Sequence, residues 1–249
     1  NCVVYHAHGG FVVGSEMSGG VNNMFVSNCT FIGSDIGLRF KTTRGRGGLV
    51  ENIYVNNVNM KDIPAEAILF DMYYMAKDPV VLAGEKREPP KVEFKPVDET
   101  TPQFRNFYFR NITCNGAAKG IFVRGIPEMH VKNIWIENAV LQASEGIDIQ
   151  EASNINLKNI TMISKNTRPV AYVLNSDSIR IDGLRFKDSA EVLLQVQGER
   201  SKDIQLLNSN TAAAKQKLIA DFGAGEAMVR WALPAATEPA KKTKSKKKQ

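Results

Sequence analysis

The chain has 249 residues, 43% of them hydrophobic, and no run of 18 apolar residues, which excludes a membrane-spanning helix. Its net charge is +6, but Lys241, Lys242, Lys244, Lys246, Lys247 and Lys248 alone carry six positive charges, so the rest of the chain is neutral overall. That distribution speaks against a nucleic-acid-binding body, and no Cys or His spacing suits a zinc site.

Taken in order, the chain opens on Asn1, which stands 27 residues before Asn28 in a phrase that recurs throughout. The expectation is a chain that starts in the middle of a structural repeat, with further repeats before it. Next comes Ala7-His8-Gly9-Gly10, then Gly14-Ser15-Glu16. The phrase itself first appears in full as Asn23-Met24-Phe25-Val26-Ser27-Asn28-Cys29-Thr30-Phe31. It returns at 52–60, 106–114, 133–141 and 154–162, with weaker copies at 178–186 and 203–209. Its sixth position falls at 28, 57, 111, 138, 159, 183 and 208, at intervals of 29, 54, 27, 21, 24 and 25.

Parity within the phrase defines the unit. Apolar residues lie four and two places before the sixth position, then one and three places after it, as in Ile53, Val55, Val58 and Met60. A single strand keeps one parity, so the chain must bend where the phase slips. Asn and Gly tolerate the left-handed backbone that such a corner needs. Two strands around a bend, followed by a third apolar stretch at 36–40, 67–70, 120–123, 146–149, 170–174 and 192–196, predict the coil of a right-handed parallel β-helix. Corners stacked about 4.8 Å apart predict a ladder of asparagines. A leucine-rich repeat has similar length, but its Leu-x-x-Leu-x-Leu phrase is absent. Cys2, Cys29 and Cys114 fall at inward positions and read as buried thiols, with a Cys2–Cys29 disulfide as the alternative.

The stretch 36–48 concentrates charge on the third strand of one coil. Arg39 and Lys41 alternate with Leu38 and Phe40, so two cations share the outer face about 7 Å apart. Arg44 and Arg46 follow among Gly45, Gly47 and Gly48. Four cations on a rigid element suit an anion bearing carboxylates, phosphates or sulfates; a solvated charged face is the plainer explanation. The doubled interval contains 75–103, whose Pro79, Pro89, Pro90 and Pro96 and Glu-Lys-Arg-Glu cluster predict a long excursion walling a groove beside that strand, with a disordered loop as the alternative. The expected organisation is coils over 1–209, a terminal cap over 210–233, where the phrase fades, and a disordered Lys-rich tail over 234–249.

The Gly37-Leu38-Arg39-Phe40-Lys41 strand, with His8 and its glycines one coil earlier and Gly14-Ser15 after them, resembles the Arg-Ile-Lys and Gly-His-Gly signatures of the polygalacturonase family of glycoside hydrolases. The coil pattern carries the likeness to about residue 210, the motifs only through the first fifth. The resemblance implies a parallel β-helix that hydrolyses α-1,4-galacturonide bonds of pectin with inversion, without a cofactor or metal. It implies Arg39 and Lys41 as the grip on a galacturonate carboxylate and His8 as the cleft histidine, where a structural turn histidine is the alternative. Tyr74 or Tyr73 takes the place of a cleft tyrosine, and Glu16 and Arg44 that of lining residues. His6 and His130 read as ordinary surface or turn residues.

One departure matters. Inverting glycosidases need a carboxylic acid for the leaving oxygen and a carboxylate for the attacking water. In the resembled family these come from Asn-Thr-Asp and Asp-Asp motifs before the Gly-His-Gly turn, and neither occurs in these 249 residues. Asp98-Glu99 is the only adjacent acidic pair, in the wrong place, and Asp35 belongs to no motif. The expectation is therefore the C-terminal portion of such an enzyme, inactive alone, monomeric when complete and secreted or periplasmic. Its partners are pectin oligosaccharides, with no nucleic acid and no membrane insertion. The alternatives are a non-catalytic β-helix binding acidic glycans and a polysaccharide lyase, although no Asp cluster for calcium stands out. Arg44-Gly45-Arg46-Gly47-Gly48 as an RNA-binding element is a single copy on a neutral body.

Overall fold

In the computed structural model, which describes residues 1–75, 93–187 and 189–232, the backbone turns where the asparagines recur. Asn28, Asn57, Asn111, Asn138 and Asn159 have φ between 53° and 56°, and Gly183 and Asn208 continue the series at 75° and 51°. A second corner, which parity did not signal, lies at the first position of each phrase. There Asn23, Asn52, Asn106, Asn133 and Asn154 have φ from 52° to 62°, followed by Ser178 and Asp203. A carboxamide tolerates this region because it hydrogen-bonds locally, and here it does so between coils. Asn57 donates to Asn28 at 2.7 Å and Asn159 to Asn138 at 3.2 Å; on the other corner Asn106 donates to Asn52 at 3.2 Å and Asn133 to Asn106 at 2.9 Å. The ladder slips where Asn111 reaches Asn56 instead of Asn57.

Strands run between and through these corners: β1 (Val3–Tyr5), β2 (Phe11–Val13), β3 (Val21–Ile32), β4 (Leu38–Lys41), β5 (Leu49–Asp71), β6 (Gln103–Arg124) and β7 (Val131–Gln150). They continue as β8 (Ala152–Ser164), β9 (Ala171–Leu174), β10 (Asp177–Asp182), β11 (Arg185–Phe186), β12 (Ala190–Gln197), β13 (Lys202–Leu207), β14 (Ala214–Asp221) and β15 (Val229–Ala232). All strand pairings are parallel. One ladder passes through β3, β5, β6, β7, β8, β10, β13 and β15. The third-strand ladder runs β2, β4, β5, β6, β7, β9, β12, β14, joining all the third strands expected from the sequence. This is a right-handed parallel β-helix.

Inward residues of the three faces meet in one core. Ile53, Val58, Phe70, Phe107, Phe109, Ile112, Ile134 and Ile149 are fully buried. Phe40 stacks on Phe70 with ring centroids 4.8 Å apart, and Phe107 meets both edge-on. That aromatic cluster fixes β4 from beneath, because Phe40 lies between Arg39 and Lys41. Cys29 and Cys114 are buried, the Cys114 thiol pushed up to about 12 by burial and by the nearby Asp62 charge. Cys2 is exposed and all three are free thiols, so neither its expected burial nor a Cys2–Cys29 bond is found. Residues 210–232, within the stretch read as a terminal cap, pair with the coils before them: β14 with β12 and β15 with β13. The Lys-rich tail and most of the excursion over 75–103 lie outside the described residues.

Candidate functional site

The site is built on β4 and the turn one coil before it. Backbone bonds Asp35 N to Ala7 O, Gly10 N to Ile36 O and Phe11 N to Gly37 O, each 2.9–3.0 Å, pin the 7–11 turn against 35–37. Gly10 makes that approach possible: a Cβ there would stand 2.2 Å from the Phe31 ring. The result sets His8 between Asp35 and Arg39. Arg39 Nη1 lies 2.6 Å from His8 Nε2, and His8 Nδ1 lies 2.9 Å from Asp35 Oδ2. A guanidinium can only donate, so Nε2 accepts and Nδ1 carries the proton donated to Asp35. The three residues form one chain of hydrogen bonds that orients Arg39. The sequence reading had no motif for Asp35; only its place one coil after His8 points to it.

Arg39 and Lys41 are each only 7% exposed. Neither has a carboxylate within ion-pair distance among the described residues, and the buried Arg39 Nε has no hydrogen-bond partner. Asp35 is engaged with His8. Burial holds the Glu66 carboxyl above its ordinary range, against its own backbone amide, Lys119, and, more weakly, Arg39. Two buried cations therefore stand without a matching anion, a costly arrangement unless something supplies one.

Tyr74 partly compensates. The Lys41 Nζ lies 4.2 Å from the Tyr74 ring centre and the Arg39 guanidinium carbon 5.6 Å from it. Tyr73 is turned elsewhere, between the Arg44 and Arg124 guanidiniums at 5.4 and 5.2 Å. Of the two tyrosines, Tyr74 lies against the Arg-x-Lys pair and Tyr73 against Arg44 and Arg124. The other two cations of the cluster are matched. Arg44 donates to both oxygens of Glu128, at 2.5 and 2.9 Å, and Arg46 meets Glu16 at 2.8 Å. Glu16 also accepts from the Ser15 hydroxyl, and it stays on the surface, away from Arg39.

Three partners beyond the motif were not singled out from the sequence. Asp71 and Arg124 share a column with Lys41, by the register Lys41–Asp71–Arg124, and aligning the third strands would have found them. Arg124 Nε and Nη2 both reach Asp71 Oδ1, at 2.9 and 2.8 Å. Glu128 comes from the turn after β6 and has no such signal. His130, read as ordinary, lies 3.4 Å from Glu151 and 3.7 Å from Asp177. Among the described residues, no group of three or more His, Cys, Asp or Glu could hold a metal ion.

Residues 1–116 match the model of the glycosyl hydrolases family 28. Over this stretch the chain is similar to that family. A polygalacturonase of Ralstonia nicotianae is 32% identical over 121 residues, 47% of this chain and 19% of its own length. A probable polygalacturonase of Vitis vinifera is 47% identical over 129 residues, 52% of this chain and 23% of its own length. The chain thus spans about a fifth of these relatives. The crystal structure of a hyperthermoactive exopolygalacturonase from Thermotoga maritima matches in fold, with TM-score 0.52 and 24% identity, over 64% of this chain and 33% of that one. Within the family 28 segment lie His8, Glu16, Arg39, Lys41, Arg44, Tyr73 and Tyr74; Arg124, Glu128 and His130 lie outside it.

Proposed function

We propose that this chain supplies the carboxylate grip of a polygalacturonase-like hydrolase acting on α-1,4-galacturonide bonds of pectin. The observation that carries the reading is the pair of cations, Arg39 and Lys41, buried without a carboxylate at ion-pair distance among the described residues. A galacturonate carboxylate matches them. The Arg39 guanidinium donates to one or both oxygens, while Lys41 acts as a point charge. His8 sets the orientation of that fork, and Tyr74 offers a flat wall to the sugar ring. The match to family 28 and the polygalacturonase relatives agree with this substrate class.

Hydrolysis with inversion needs an acid for the leaving oxygen and a base for water. Asp35 is spent on His8, and the sequence contains neither Asn-Thr-Asp nor Asp-Asp. We therefore read these 249 residues as gripping without cleaving, part of a secreted or periplasmic enzyme that is monomeric when complete. The absent motifs equally favour a second reading, a β-helix that only binds acidic glycans.

Calorimetric titration with trigalacturonate and with a neutral galactose trimer, beside a reducing-end assay, tests the proposal. Binding of the acidic trimer alone, without release of new reducing ends, is the expected outcome. Equal binding of both sugars would remove the carboxylate grip, and turnover would overturn the inactivity of the chain. An enzyme extended by preceding coils that binds but never cleaves would favour the binding-only reading.

A further inference from the structure

Tyr74 depends on its neighbour for its position. Tyr73 has two guanidiniums 5.4 and 5.2 Å from its ring centre, and each guanidinium is in turn fixed by a carboxylate. Arg44 is clamped by the two oxygens of Glu128, whose side chain is only 5% exposed. Arg124 is held by Asp71, which also accepts the Tyr73 backbone N–H at 2.9 Å. The backbone is tied as well: Thr43 and Tyr73 form an antiparallel bridge, and Tyr74 N–H donates to Thr42 O at 2.9 Å. Turning Tyr73 out of these contacts would rotate the backbone that aims Tyr74 at Lys41.

We propose that Glu128 and Arg124 are positioning residues that act through Tyr73 to hold Tyr74 over Lys41 and Arg39. Neither would touch the anion. Both lie beyond the residues matched to family 28, so the part of the chain after residue 116 tunes a site carried by the part before it. Their role in ligand affinity rests on the carboxylate-grip reading; their role in placing Tyr74 does not. Ion pairs held in two-point geometry on low-exposure residues are rigid enough for such a task, where single exposed pairs are not.

Two measurements on the 249-residue chain separate these statements. With lysine labelled at the ε-carbon, the Lys41 signal, assigned by its loss in Lys41→Arg, should sit upfield of the other lysines because it lies over the Tyr74 ring. Glu128→Gln and Arg124→Gln should each abolish that upfield shift while the core Phe resonances stay in place, and Glu128→Asp should retain part of it. An upfield shift that survives in both Gln variants, or is missing from the unmutated chain, would overturn the proposal. In titrations, Glu128→Gln should weaken trigalacturonate binding about tenfold, and add nothing further once Tyr74→Ala is present. Equal weakening in both backgrounds would show that Glu128 does not act through Tyr74. If the unmutated chain does not bind the trimer, the carboxylate grip falls, and the Lys41 resonance alone decides the clamp.

Discussion

Charge on individual residues governs what this site can do. Arg39 and Lys41 sit under cover without a carboxylate at ion-pair distance among the described residues, so on the proposed reading each weakens the empty fold and strengthens the filled one. Lys41→Ala is expected to reduce trigalacturonate affinity about 10- to 100-fold, the worth of one charge-assisted contact, read by calorimetry. Arg39→Lys should cost nearly as much, because an ammonium cannot reproduce the fork that faces His8. Glu128 carries a pH signature. Burial pushes its carboxyl up, but hydrogen bonds from Arg44 and its own backbone amide outweigh that and hold it below its ordinary value of 4.5. A depressed folded-state value means stability that is present above that ordinary value and is lost as pH falls through the lowered one. Melting curves between pH 7 and 3 should therefore show a shallower acid limb for Glu128→Gln than for the unmutated chain; parallel limbs would deny the Arg44–Glu128 pair any part in acid stability.

At the level of the element, the coil is set by its corners. Asn111 combines a φ of 55° with a ladder bond to Asn56, so Asn111→Ala loses both the tolerance and the bond, about 2 kcal/mol by denaturant unfolding. Asn111→Gly keeps the backbone and should cost clearly less; equal losses would mean the corner conformation contributes nothing. Phe107, fully buried against Phe40 and Phe70, should cost about 3–5 kcal/mol as Phe107→Ala. The strands and one corner were legible in the sequence because parity must slip where the chain bends, as at Asn57 between Val55 and Val58. The second corner was not, because Asn52 and Asn106 open the phrase and leave no phase slip to read. Pairing of β14 was hidden for another reason: Lys215, Gln216 and Lys217 face solvent at the end of the stack, where a coil needs few apolar residues.

Across the whole molecule, each coil rests on its neighbours, so position along the stack decides which residues can share a site. The motif residues His8, Arg39 and Lys41 were legible because they occupy matched places one coil apart. Arg44 was legible as a charge but not as Glu128's partner, since 84 residues separate them and no repeat links them. Tyr74 could not be told from Tyr73 because neighbouring residues differ only in which side of the chain they take. The exposure of Cys2 was not legible, because spacing does not record it. Function follows the same logic. On the proposed reading, the fold brings a grip together from adjacent coils, and the later coils, through Arg124 and Glu128, brace it.

The most direct measurement is the melting temperature of the unmutated chain and of Lys41→Met, each with and without saturating trigalacturonate. A buried cation kept for an absent anion makes a definite pattern: Lys41→Met should melt higher than the unmutated chain when both are empty, and only the unmutated chain should gain stability from the trimer. An unmutated chain that ignores the trimer, or a Met variant that gains as much from it, would contradict the account.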